Sequence, residues 1–233
     1  LAVTTIHAPT TSPMRTPAPH AHDWLKRLSG RFLAFEGADG SGKSTQLQRF
    51  VAACREAGLA VCEVREPGGT YVGERIRAVL LEHADEDICL RTEMLLYMAS
   101  RAQLVESKVR PALAAGQLVV ADRFVASTLA YQGAAGGLPE AEIRAVAQVA
   151  TGGLMPDLNV VFDVDEATAA GRLSPLLDRM ESRSREFHAK VRAGYLEQSR
   201  REPGRYAVVD ARSGADEVFA AMMGELERRS RAW

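Results

Sequence analysis

From about Arg31 the chain alternates short aliphatic or β-branched runs with longer stretches in which apolar residues return every third or fourth position. The runs predict strands at Arg31 to Glu36, Ala60 to Arg65, Gln117 to Asp122, Asp157 to Asp163 and Tyr206 to Asp210. The intervening segments predict amphipathic helices, for example through Leu47, Phe50, Val51 and Cys54, or through Leu95, Met98, Ala102 and Val105 within a long helical pattern from Arg91 to Ala114. Strands separated by helices imply crossover connections and a parallel sheet covered on both faces, with ligands at the carboxyl ends of the strands. Two segments interrupt the pattern: Gln132 to Pro139, rich in glycine, and Leu173 to Arg185, charged and without a clear apolar face. No internal repeat is evident.

Composition refines this picture at one end. The first 22 residues hold four of the ten prolines and three of the five histidines but no acidic residue. Such an Ala/Thr/Pro tract cannot bury enough side chain to offset its ordering entropy, so residues 1–30 are expected to form a disordered tail, with the folded pattern emerging near Trp24. Because the chain opens on Leu1, Met14 is expected to lie nearer the natural start. The tract lacks the basic and apolar regions of a secretory signal, and no stretch reaches the roughly 18 apolar residues of a membrane span. Over the 233 residues, 29 Lys plus Arg against 30 Asp plus Glu remove the electrostatic case for a general nucleic-acid or membrane-surface binder. Cys54, Cys62 and Cys89 are odd in number, lack C-x-x-C spacing, and read as reduced, buried thiols of a cytoplasmic protein.

The strongest chemical signal is Gly37-Ala38-Asp39-Gly40-Ser41-Gly42-Lys43-Ser44-Thr45, a complete G-x-x-x-x-G-K-[ST] between a predicted strand and a predicted helix. Glycines let successive backbone N–H groups turn toward phosphate oxygens, Lys43 reaches the terminal phosphates of ATP, and the Ser44 hydroxyl is a Mg²⁺ ligand. No Asn-Lys-x-Asp guanine reader is present. The third predicted strand ends in Asp122-Arg123 where a hydrolase would carry Asp-Glu, and a guanidinium there suits a second, phosphate-bearing substrate.

Arg65-Glu66-Pro67-Gly68-Gly69-Thr70, Asp122-Arg123 and Ser127-Thr128-Leu129-Ala130-Tyr131-Gln132-Gly133, in this order behind the phosphate loop, resemble bacterial thymidylate kinases from about Arg31 to the C-terminus. The resemblance implies a P-loop NTPase fold, a three-layer αβα arrangement with a five-stranded parallel sheet over 31–233 and a short mobile lid at about 172–186. It also implies a homodimer that transfers the γ-phosphate of ATP to dTMP with Mg²⁺ in dTTP biosynthesis, with no nucleic-acid or membrane partner. Carried over by residue, ATP would meet Gly37 to Thr45, and Asp122 would join Ser44 at the metal. For dTMP, Asp39 would meet the sugar 3′-hydroxyl and Arg65 and Arg123 the phosphate. Tyr97 would stack on the base in place of the usual Phe, and Arg101, four residues on, would contact it. Tyr131 would crowd the sugar 2′ position, and Ser127, Thr128 and Gln132 would face the base edge. Lys43, Asp122, Arg123, Arg172 and Arg179 would be catalytic, with Arg183 or Arg185 as substitutes after a lid shift. Asp210-Ala211-Arg212 resembles the family's adenine-side loop.

The chain departs from the family twice: Ala134 to Gly137 stands where an Arg often follows Tyr-Gln-Gly, and the lid has fewer closely spaced arginines. Two other readings therefore stay open, a kinase for another nucleoside or nucleoside monophosphate and a catalytically weak nucleotide-binding regulator.

Overall fold

The structure, a computed structural model, describes residues 22–82, 87–172, 179–180 and 182–233. Five strands form one parallel sheet in the order β2-β3-β1-β4-β5: β1 Phe32–Gly37, β2 Val61–Arg65, β3 Leu118–Asp122, β4 Leu158–Asp163 and β5 Tyr206–Asp210. The helices are α1 Lys43–Glu56, α2 Tyr71–Leu81, α3 Leu90–Leu104, α4 Arg110–Ala114, α5 Val125–Thr128, α6 Glu140–Thr151, α7 Glu166–Ala170, α8 Arg185–Arg201 and α9 Ala215–Ser230.

Every residue of β1 is buried because alternate side chains feed different cores. Leu33 and Phe35, with Leu118, Val120, Leu158, Val160 and Phe162, meet α1 and α9 on one face. Phe32 and Ala34, with Val119 and Ala121, meet α3, α4 and α6 on the other, where α8 covers the β4 side through Val191 and Tyr195 against Val161 and Tyr206. These are the three layers, and each strand begins within one residue of its predicted start.

Several expectations change. The tail does not extend to residue 30: Asp23–Leu28 forms a 3-10 helix whose Trp24, Leu25 and Leu28 are buried in the first core. Residues 1–21, Met14 included, lie outside the described residues, as does most of the expected lid, 173–178 and 181. The Gly-rich interruption is helical at its start, since a wide π-helical stretch, Leu129–Ala135, continues α5. A side chain at Gly136 would meet the Gln132 carbonyl at 2.7 Å and Leu90 at 2.9 Å, so no arginine fits there without movement. Leu95 is half exposed rather than core, and of the three cysteines only Cys54 is buried, Cys89 standing exposed at the head of α3.

Candidate active site

Parallel register brings the polar strand ends together. Phe35 and Arg65 both pair with Asp122, so the ends of β1, β2 and β3 open on one edge. The loop from β1 to α1 is built on backbone that side chains resist. Gly40 has φ +77°, and a Cβ there would lie 2.3 Å from the Ala169 carbonyl oxygen. The next turn starts at Gly42, also left-handed, and α1 follows with its first N–H groups toward the loop. This loop lines a cavity of about 520 Å³ from Ala38 to Gln46, closed by Arg172, by Ala211, and by Ser213, Gly214, Ala215 and Val218. Arg172 donates to the carbonyls of Ala211 (2.8 Å) and Arg212 (3.1 Å), which fixes the loop after β5. Asp210 grips Arg212 in a fork at 2.9 and 2.5 Å. The Ser41 hydroxyl is buried without a partner inside the loop, as expected of a donor waiting for a phosphate oxygen.

A second cavity of about 170 Å³ adjoins the first and is lined by all nine residues expected at the acceptor: Asp39, Arg65, Tyr97, Arg101, Arg123, Ser127, Thr128, Tyr131 and Gln132. Asp39, Lys43 and Arg123 line both cavities. At this junction Lys43 pairs with Asp122, and Arg123 pairs with Asp39. Burial and the nearby Arg123 charge push Lys43 below its ordinary value despite Asp122. Burial alone would raise Asp39, but the Arg123 guanidinium and the Tyr131 hydroxyl, which donates to it at 2.8 Å, hold its carboxyl below the usual range.

Arg123 is the one non-glycine residue with positive φ, +71°, among the described residues. Such a conformation costs on the order of 1–3 kcal/mol and persists where the surroundings over-determine it. Here Arg123 N–H donates to Phe35 O at 3.0 Å and the following Phe124 N–H to Glu36 Oε1 at 2.8 Å. Glu36 Oε2 accepts from Ser127 Oγ at 2.6 Å and Tyr195 OH at 3.2 Å. Arg123 Nη1 in turn donates to Ser127, Tyr195 and the Gly37 carbonyl at 3.0–3.3 Å. Burial raises the Glu36 carboxyl, partly offset by Ser127 and Arg123.

Deeper in the second cavity Arg101 is fully buried. It donates to Glu66 Oε2 through Nε at 2.8 Å and Nη2 at 2.5 Å, and to Thr128 Oγ1 at 3.2 Å. Burial lifts the Glu66 carboxyl to about 7, against the opposing pull of Arg101. Arg65 pairs at 2.8 Å with Glu74, whose Oε1 also accepts the Gly69 N–H. Tyr97 and Arg101, one turn apart on α3, both line the cavity as their spacing predicts.

The expected catalytic residues do not all converge. Lys43, Asp122 and Arg123 meet at the junction and Arg172 lines the larger cavity, whereas Arg179 lines neither. It donates to Leu80 O at 2.7 Å and to Glu93 at 2.5 Å, because that buried carboxylate offers it a fixed partner. Arg183 and Arg185 share a recess with Ala38, Asp39 and His188, and Arg183 also approaches the Glu93 carboxylate at 3.8 Å. Sequence reasoning missed Glu36, Glu66, Glu93 and Tyr195. Glu36 adjoins the phosphate loop and Glu66 lies within the Arg65 to Thr70 motif, a usable signal in each case; Tyr195 offers none.

The fold and the paired cavities define a class, the P-loop phosphotransferases of the nucleoside monophosphate kinase type. The family model described as thymidylate kinase matches residues 35–222. A thymidylate kinase of Solidesulfovibrio magneticus is 44% identical over 202 residues, covering 83% of this chain and 97% of the relative. One from Symbiobacterium thermophilum is 46% identical over 188 residues, covering 80% and 88%. One from Desulforudis audaxviator is 46% identical over 201 residues, covering 84% and 89%. The chain belongs to the thymidylate kinase family.

Proposed function

We propose that the protein transfers the γ-phosphate of ATP to dTMP, giving ADP and dTDP. The observation that carries the reading is the sharing of Asp39, Lys43 and Arg123 by a phosphate-loop cavity and an arginine-lined acceptor cavity. An oxygen of the dTMP phosphate attacks the γ-phosphorus, the bond from that phosphorus to the β,γ-bridging oxygen breaks, and ADP leaves, with no net proton to move. Catalysis is positioning and charge neutralisation. Arg123 and Arg65 hold the acceptor phosphate, Lys43 leaves Asp122 for the transferring group, and the loop N–H groups with Ser41 hold the donor phosphates. Asp39 takes the 3′-hydroxyl and Tyr131 closes the sugar's 2′ side, while Tyr97 stacks on the base beside Arg101 and Thr128. Arg185 or Arg183 supplies transition-state charge from the recess beside Asp39.

Mg²⁺ fits the donor set. Ser44 is exposed on the first turn of α1 in the larger cavity and Asp122 stands at the junction, both hard oxygen donors. Among the described residues no group of three or more His, Cys, Asp or Glu side chains could hold a metal, so most ligands would be nucleotide oxygens and water, as this ion prefers. Bound there, it would neutralise phosphate charge. A homodimer is supported by exposed Tyr71, Val72 and Val79 on α2, Leu95 on α3 and Val149 on α6, since α3 packs against both other helices. Among the described residues no helix is long and apolar enough to cross a membrane, and the free thiols suit a reducing cytoplasm. An ADP-release assay with dTMP, dUMP, dCMP and the thymine ribonucleotide tests the reading. dTMP-dependent release is expected, and no release with any acceptor would overturn it.

A further inference from the structure

Glu93 stands on the first turn of α3 with its carboxylate 2% exposed. Its Oε1 accepts Gln132 Nε2 at 2.8 Å, and its Oε2 takes Arg179 Nη2 at 2.5 Å, while Arg179 Nε is held by Leu80 O at 2.7 Å. Arg183 Nη2 also stands 3.8 Å from Oε2, and a carboxylate among these donors can only accept. The Gln132 amide must therefore turn its nitrogen toward Glu93, leaving the carbonyl oxygen as its opposite pole. Gln132 and Arg101 line the same cavity, and Arg101 carries N–H donors only. The pair thus offers a base an acceptor at Gln132 and a donor-only neighbour at Arg101, whose N–H groups Glu66, Thr128 and Met98 already share.

We infer that Glu93 is a specificity-determining positioning residue: by fixing the Gln132 amide it makes the cavity accept 4-keto pyrimidine monophosphates and refuse 4-amino ones. A 4-keto pyrimidine offers N3–H as donor and O4 as acceptor, matching Gln132 Oε1 and Arg101. A 4-amino pyrimidine inverts both, with N3 a lone pair and N4 a donor, so two buried polar pairs would face like against like. Such mismatches cost far more than a missing methyl group. The inference rests on the proposed acceptor, and it assigns a role to a residue that need not touch the substrate.

The test is kcat/KM for dTMP, dUMP and dCMP in the wild type, Glu93→Gln and Glu93→Asp. A glutamine at 93 can donate or accept, so it no longer dictates the amide's orientation. The dTMP/dCMP ratio is expected to fall at least about tenfold in Glu93→Gln. The dTMP/dUMP ratio should stay within about twofold, because those bases share the same edge. Release of Arg179 and Arg183, both paired with Glu93, acts on every acceptor alike and cancels in both ratios. Glu93→Asp, still acceptor-only, should recover most of the first ratio. An unchanged dTMP/dCMP ratio, or equal collapse of both ratios, overturns the inference. Should Glu93→Gln fail to fold, the 3-deaza analogue of dTMP decides with the wild type: at least about a tenfold loss supports N3–H recognition, and no loss overturns it. A wild type inactive on dTMP instead overturns the functional reading.

Discussion

Replacing Glu36 with glutamine probes the support beneath the junction without touching a substrate. The carboxylate accepts three bonds, from Phe124 N–H at 2.8 Å, Ser127 Oγ at 2.6 Å and Tyr195 OH at 3.2 Å. Glutamine keeps its carbonyl oxygen for the Phe124 N–H, a bond weakened by loss of the charge, and puts an amide N–H where Ser127 and Tyr195 now donate, so those two bonds must reverse; together this costs roughly 3 kcal/mol. Against this, a buried carboxylate carries a desolvation penalty of several kcal/mol that the amide avoids. Folding stability should therefore change by no more than about 1 kcal/mol, or roughly 2–4 °C in Tm for a domain of this size. Activity should not be spared. The amide loses the charge beneath Arg123 and turns an N–H toward Ser127 and Tyr195, both of which also receive Arg123 Nη1. With its left-handed backbone less firmly held, the guanidinium moves, and a displacement of about 1 Å in a positioning group costs on the order of a hundredfold. Steady-state kinetics with dTMP should show kcat/KM down about 30- to 100-fold beside a Tm within a few degrees. A kcat/KM within threefold of wild type would show that Glu36 does not hold Arg123 in place.

Three further outcomes follow from the same geometry. Gly40→Ala should lower kcat at least about a hundredfold and destabilise the chain by about 2 kcal/mol, since left-handed strain adds to a backbone contact of 2.3 Å with Ala169; turnover near wild type would show the loop is not so confined. Arg185→Ala should reduce kcat at least tenfold with little change in KM for dTMP, and more than Arg179→Ala does, because Arg179 is committed to Leu80 and Glu93; the reverse order in steady-state assays would exchange their roles. Glu66 titrates near 4.5 when unfolded and at about 7 when folded, so across that window the folded chain binds more protons. This group's contribution is complete below about 4.5 and is lost as pH rises to about 7, and urea titrations should show wild-type stability falling relative to Glu66→Gln between pH 5 and 7.5, by up to about 3 kcal/mol; a constant difference would contradict it.

The central strands β1, β3 and β4 were legible because they are aliphatic runs buried on both faces, and the edge strands β2 and β5, though partly exposed, keep β-branched runs between turn signals. The phosphate loop and the Tyr97/Arg101 pair are equally local, their geometry set by neighbours one turn away. What sequence pattern missed is non-local. Glu36 gains its meaning from Tyr195, 159 residues on, Glu66 from Arg101, 35 residues on, and Glu93 from Arg179, 86 residues on. The stretch around Gly133 reads as a loop because glycine disfavours helix, yet packing of α8 through Gly194 against Ala130 and Ala134 carries it as a π-helical turn. The Trp24 helix is too short for periodicity to reveal, though its three apolar residues mark it.

In the proposed reaction, two adjoining cavities hold donor and acceptor so that phosphate passes directly between them across Lys43, Asp39 and Arg123. Phosphorus NMR of a reaction with ATP, dTMP and Mg²⁺ tests it directly by following both products at once. The predicted result is one dTDP for each ADP, with neither formed when dTMP is omitted and both abolished by Lys43→Ala. ADP accompanied by inorganic phosphate, at a rate indifferent to dTMP, would contradict it.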